Sequence, residues 1–212
     1  MQAEHIASEV GPREIGSPMA FEVDRSTGRL IGASRHYEKY VRDLAGLYLN
    51  EAAFASRCAV HGDDVAYFVD DFRANEEEGL IVGTSVLLPG VIGSEYAMTR
   101  GHLHEHAAAP EIYHCLSGHG VLVMENLKGE PRVVEMREST VVYVPGHWIH
   151  RSVNVGGDPL VTMFAYSSGA GQDYGVVERS RGLSKLVVRD GEGWRVVDNP
   201  RYVARDAASL PM

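Results

Sequence analysis

The 212-residue chain predicts an all-β domain, a sandwich or barrel, with a short helical segment on its N-terminal side. Three observations predict it. From Val65 onward, short apolar runs rich in Val, Ile, Thr and Tyr follow one another, the residue types that pleated, half-buried strands prefer. Turn residues punctuate them at Pro89-Gly90, Ser117-Gly118, Lys128-Gly129, Pro145-Gly146, Gly156-Gly157 and Asp190-Gly191. No alternation of strand-like with helix-like segments is present, which disfavours a parallel α/β sheet.

In chain order, residues 1–33 form an N-terminal arm containing one hairpin-like piece, Phe21 to Ile31, turning at Ser26-Thr27-Gly28. Residues 34–62 read as helical. Ser34 is the expected N-cap, and Tyr37, Tyr40, Val41, Leu44, Leu47 and Tyr48 recur at helical spacing as core contacts. Asn50 is expected to cap a second short helix, Glu51 to about Val60, stopped by Gly62. The barrel occupies 63–198, with strands expected at Val65–Phe72, Leu80–Leu88, Glu95–Thr99, Glu111–Leu116, Val121–Asn126, Arg132–Met136, Thr140–Val144, Ser152–Val155, Leu160–Tyr166, Ser184–Val188 and Trp194–Val197. Residues 199–212 are a C-terminal tail, and the whole is one domain.

Twenty-nine acids against twenty bases give a net charge of -9. Such a chain lacks the electrostatic footprint for non-specific nucleic-acid or anionic-membrane binding. No run reaches the roughly 18 uninterrupted apolar residues of a membrane helix, and the N-terminus lacks a basic region followed by an apolar stretch. Cys58 and Cys115 cannot build a disulfide framework, so the expectation is reduced thiols in the cytoplasm.

The unusual feature is ten histidines, seven of them crowded from His102 to His150. In an extended strand His102 and His104 point the same way. Glu111 opens the next apolar run and shares its face with Tyr113 and Cys115. Once that run pairs beside the first, Glu111 can add a third ligand, and His150, after a proline-containing turn, a fourth. Three neutral imidazoles and a carboxylate suit Fe, Mn, Ni, Co or Zn and leave one or two coordination positions open. The remaining histidines fit less well. His106 reads as a solvated loop residue, His114 faces away from Glu111, His119 and His147 sit at turns, and His5, His36 and His61 read as surface.

The whole pattern of His102-x-His104, Glu111, Gly118 and then Pro145, His150 and Asn154 resembles the paired motif of the cupin superfamily, with Pro145-Gly146-His147 where many cupins have Pro-x-Gly. The runs Thr99-Arg-Gly-His-Leu-His, Glu111-Ile-Tyr, Thr140-Val-Val-Tyr-Val-Pro, His150-Arg-Ser-Val-Asn, Ala170-Gly-Gln-Asp-Tyr-Gly, Ser184-Lys-Leu-Val-Val and Val197-Asp-Asn-Pro-Arg-Tyr narrow it. They resemble the cupin-type, metal-dependent phosphoglucose isomerases over about residues 20–203. The resemblance implies a double-stranded β-helix that is homodimeric and interconverts glucose 6-phosphate and fructose 6-phosphate in glycolysis and gluconeogenesis. It implies His102, His104, Glu111 and His150 as ligands of one divalent ion per subunit, with Fe2+ the first expectation and Mn2+, Ni2+, Co2+ or Zn2+ the alternatives. It also implies Ser85, Thr99, Gly101, Tyr166 and Tyr67 at the phosphate, held by hydroxyl and amide donors rather than a Lys–Arg cluster. Gln172 stands where many members of that family have His, and can bond a sugar hydroxyl but not shuttle a proton near neutral pH. The loop Ala107-Ala-Ala-Pro110 lacks the family's charged pair.

Two routes serve an aldose–ketose isomerisation. In the enediol route a base moves the C2 proton to C1; in the other, hydride shifts directly. The enediol route is favoured, with Glu111 as base and Tyr113 and Tyr174 as hydroxyl donors, although a cation acidifies a bound carboxylate. Another metal cupin enzyme, a dioxygenase or a sugar epimerase, is the enzymatic alternative, and a cupin that only binds a sugar phosphate the non-enzymatic one.

Overall fold

The computed structural model describes residues 18–73 and 79–205. In chain order the strands are β1 (Glu22–Val23), β2 (Leu30–Ile31), β3 (Arg35–Tyr40), β4 (Val65–Arg73), β5 (Leu80–Leu87), β6 (Val91–Ile92), β7 (Glu95–Met98), β8 (Glu111–Ser117), β9 (His119–Asn126), β10 (Pro131–Arg137), β11 (Val141–Val144), β12 (Trp148–Asn154), β13 (Leu160–Ser167), β14 (Lys185–Asp190) and β15 (Gly193–Asp198). A 3-10 turn spans Val41–Leu44, and the helices are α1 (Glu51–His61) and α2 (Gly175–Arg179). One sheet runs β10-β9-β12-β7-β14-β15 with β6 beside β7, and the other runs β11-β8-β13-β5-β4-β3. All neighbours are antiparallel.

Both sheets feed one apolar cluster. Leu122, Ile149 and Val153 come from the first sheet, and Leu87, Cys115 and Phe164 from the second. This is a double-stranded β-helix, a cupin jelly-roll barrel. Every strand expected after Val65 is present. So are the β1–β2 hairpin and helix α1, where the Asn50 side chain accepts from Ala53 N at 2.9 Å and satisfies an orphan amide.

The expected helix from Ser34 is a correction. Arg35–Tyr40 is strand β3, paired with β4 from Arg35↔Asp71 to Tyr40↔Val65. Ser34 is no N-cap; its amide donates to Asp71 O at 2.9 Å. Val41 and Leu44, read as helical core, are buried, but in the 3-10 turn. The physical reason is tertiary. Without β3, β4 would be an open edge with unpaired backbone groups, and pairing it outweighs a weak helical periodicity. The segment 34–62 is therefore strand, 3-10 turn and helix in succession. Helix α2 and strand β6 are additions that the sequence reading did not contain.

Residues 199–205 pack on the barrel. Tyr202 donates its hydroxyl to Glu125 Oε1 at 2.6 Å, and Arg205 pairs with the same carboxylate, which is buried and also accepts Ser184 N at 2.7 Å. Most of the N-terminal arm, His5 included, and the tail beyond 205 lie outside the described residues. Among the described residues no helix is long and apolar enough to cross a membrane.

Candidate metal centre and active site

His102 and His104 lie on an extended segment rather than in a full strand. Two isolated bridges hold it, His102 to His150 and Leu103 to Asp173. β8 supplies Glu111 at its first residue, turned inward with Tyr113 and Cys115, while Ile112 points out. His150 comes from the middle of β12. The four side chains converge: one ligand atom from each lies within 4.8 Å of the others. Glu111 Oε2 is 2.9 Å from His150 Nε2, 3.3 Å from His104 Nε2 and 3.8 Å from His102 Nε2.

Second contacts fix the tautomers. His104 Nδ1 is 2.9 Å from Ala109 O and His150 Nδ1 is 3.1 Å from Trp148 O, so each Nδ1–H donates outward and Nε2 presents its lone pair to the centre. Burial, and then the neighbouring His150, hold His102 well below the usual imidazole pKa, in the neutral form that ligates. Burial pushes the Glu111 carboxyl up, but the imidazoles of His104 and His150 outweigh it and hold the acid below its ordinary range. The Nε2 atoms of His102 and His104 are buried without a hydrogen-bond partner. Buried polar atoms are seldom left so. A divalent cation would satisfy both, and the donor set of three imidazoles and one carboxylate fits it.

The centre opens into a pocket of about 570 Å³, measured out to solvent and lined by His102 and Glu111. Every residue that the resemblance implied at the phosphate lines it: Tyr67, Ser85, Thr99, Gly101 and Tyr166. Gln172, Tyr113 and Tyr174 line it too. Tyr174 donates its hydroxyl to Gln172 Oε1 at 2.6 Å, and Gln172 Nε2 donates to Tyr166 Oη at 3.4 Å. The rings of Tyr166, Tyr174 and Tyr113 stand 5.1, 5.8 and 5.7 Å from those of His104, His102 and His150. Burial first, then the Glu111 charge, raises the Tyr113 hydroxyl well above its ordinary value, so it stays protonated. His106 is an exposed loop residue, and His36 and His119 pair with Asp70 and Glu135 away from the centre.

Other residues join the pocket that sequence reasoning did not single out, among them Tyr37, Asp71, Arg73 and Ser152. Tyr37 was hidden by the helical reading of its segment. Ser152 had a usable signal, since two residues after His150 in a strand it shares the ligand's face.

A protein-family model described as glucose-6-phosphate isomerase matches residues 38–204. A glucose-6-phosphate isomerase of Sinorhizobium medicae is 47% identical over 195 residues, 91% of each chain. One of Thermococcus gammatolerans is 38% identical over 190 residues, 89% of this chain and 98% of its own. Among solved structures an oxalate oxidase aligns over 50% of this chain and 54% of its own at 16% identity, with a TM-score of 0.43, too loose a likeness to carry an argument. The matched span holds all four converging side chains and the whole pocket wall from Glu38 onward, and the chain belongs to the glucose-6-phosphate isomerase family in its cupin form.

Proposed function

We propose that the protein is a metal-dependent aldose–ketose isomerase interconverting glucose 6-phosphate and fructose 6-phosphate, a step of glycolysis and gluconeogenesis in the cytoplasm. The observation that carries the proposal is the shared pocket: the His102, His104, Glu111 and His150 cluster opens onto the same cavity as the hydroxyls of Ser85, Thr99, Tyr67 and Tyr166. A divalent ion there, Fe2+ first, would supply Lewis-acid polarisation of a sugar oxygen.

The chain's own residues do the rest. Thr99 Oγ1 accepts Ser152 N at 3.1 Å, which leaves its hydroxyl hydrogen free to donate to a phosphate oxygen. Tyr166, Gln172 and Tyr174 form a bonded row that orients the sugar hydroxyls. All three imidazole contacts of Glu111 fall on Oε2, and Oε1 takes the proton from C2 and returns it to C1 in the enediol route. Tyr113, kept protonated, donates to the oxyanion that develops at the neighbouring carbon.

We propose a homodimer as the working form. β11 is a sheet edge, and Val141 and Tyr143 on it are 57% and 65% exposed beside Ile112 of β8, an apolar outer face that a second copy would cover. A monomeric mass by light scattering at micromolar concentration would reject the dimer.

The function is tested by a coupled assay on fructose 6-phosphate with and without EDTA. Activity should vanish on chelation and return with Fe2+, Mn2+, Ni2+, Co2+ or Zn2+. Full activity in protein shown to be metal-free overturns the metal dependence, and no isomerisation by metal-loaded protein overturns the reaction.

A further inference from the structure

Arg151 stands on β12 between His150 and the pocket residue Ser152, yet it is only 3% exposed. Its Nη2 donates to Arg100 O at 2.6 Å and its Nη1 to Met98 Sδ at 2.9 Å, while its Nε is buried with no partner. Among the described residues no carboxylate lies within ion-pair distance of it. The buried side chains whose charge acts on it at a distance are Tyr48 and Glu95. The guanidinium groups that line the pocket differ. Arg100 is paired with Glu178 and Arg73 with Asp71. Arg151 is thus a buried cation with no carboxylate paired directly to it and one N–H unbonded, a costly state that a fold keeps at a site where an anion arrives.

The backbone says where that anion sits. A trans peptide points its C=O and the following N–H in opposite directions. The Arg100 carbonyl is drawn back onto Arg151, so the N–H of Gly101 is turned away from it, and Gly101 lines the pocket. Arg151 lies flush behind this peptide, since a Cβ on Gly101 would stand 3.1 Å from Arg151 Nε.

We propose that Arg151 is a positioning residue: from behind the Thr99–Gly101 segment it aims the Gly101 amide and supplies the buried positive charge for the phosphate group of the substrate. This rests on the sugar-phosphate reading above and adds to it the source of charge that an exposed Lys–Arg cluster does not provide.

The test uses inorganic phosphate as the probe, on metal-loaded protein. Its Kd by calorimetry should rise about tenfold or more in Arg151→Met and much less in Arg151→Lys, which keeps the charge. KM for fructose 6-phosphate should follow the same order, with kcat changing less than KM. Metal content measured in parallel shows that His150 is undisturbed. A folded, metal-replete Arg151→Met with an unchanged phosphate Kd overturns the inference. Should Arg151→Met fail to fold, the wild-type protein decides: phosphate must raise its Tm beyond chloride of equal ionic strength, and no excess overturns the inference. The two readings fail separately. Phosphate binding that depends on Arg151 without isomerisation sinks only the function, and isomerisation with Arg151-independent phosphate binding sinks only this inference.

Discussion

Gly101→Ala perturbs the point where the two halves of the site meet. Gly101 has φ +79°, and a Cβ there would stand 3.1 Å from Arg151 Cβ, Arg151 Nε and the His150 carbonyl oxygen. The left-handed conformation alone costs a non-glycine residue roughly 1–2 kcal/mol. The crowding adds about 1–2 kcal/mol more, because His150 O is already fixed as acceptor for His102 N at 3.1 Å and β12 cannot yield cheaply. At about 2–4 °C per kcal/mol for a domain of this size, Tm should fall by about 4–16 °C. Gly191→Ala is the control, since it shares a positive φ (+60°) but has nothing within 4 Å of its Cβ, so it carries the backbone cost alone. Relief of the crowding displaces the Thr99–His102 segment, and KM for fructose 6-phosphate should rise about tenfold while Gly191→Ala leaves it unchanged. Calorimetric melting and the coupled assay read both. Equal Tm losses in the two variants with wild-type KM would refute the reasoning.

His102→Ala, His104→Ala and His150→Ala should each lower metal content and rate, whereas Glu111→Gln should keep more metal than they do and lose more rate. Comparable losses of both across all four would reduce Glu111 to a ligand. Running the reaction in D2O from fructose 6-phosphate should place deuterium at C2 of glucose 6-phosphate, and complete exclusion even in Tyr113→Phe and Gln172→Ala would end the enediol route. Asp70 is buried and accepts from Arg29 Nε at 2.5 Å and pairs with His36 Nδ1 at 2.6 Å. Burial pushes its carboxyl up, but these hydrogen bonds prevail and the folded pKa is depressed. Its contribution is therefore present above the unfolded pKa of about 3.9 and is lost as pH falls below it. Asp70→Asn should lower Tm at neutral pH and flatten its acid limb, and an acid limb parallel to wild type would contradict this.

The parts of the site legible in the sequence are those that a strand's period of two exposes. His102 and His104, then Glu111 with Tyr113, could be placed on common faces before any tertiary information. β3 was not legible, because Tyr37, Tyr40, Val41 and Leu44 satisfy helical spacing while serving a strand and a 3-10 turn, and only the edge of β4 decides between them. Arg151 was illegible for another reason. An arginine beside a ligand histidine, on the opposite side of an antiparallel strand, reads as solvent-facing. Its burial is tertiary: Met98 of β7 and the Arg100 carbonyl both accept from its guanidinium.

The segment from Thr99 to Ala107 links the chemistry at its two ends mechanically. Thr99 N bonds Ser152 O at 3.0 Å, and His102 exchanges backbone bonds with His150 at 3.1 and 3.0 Å. On its other edge Leu103 exchanges bonds with Asp173 at 3.1 and 2.7 Å, and His106 N reaches Ala170 O at 2.8 Å. One extended segment therefore carries the pocket-lining Thr99 and Gly101 and two imidazoles of the converging cluster, and it is stitched between β12, which supplies His150 and Ser152, and the turn that supplies Gln172 and Tyr174. A backbone shift anywhere along it moves Thr99 and Gly101, the His102 and His104 imidazoles and the Gln172 and Tyr174 side chains together. Substitutions that bend this segment should accordingly change KM, kcat and metal affinity as a group, and substitutions confined to a side-chain tip, such as Thr99→Val, should separate them.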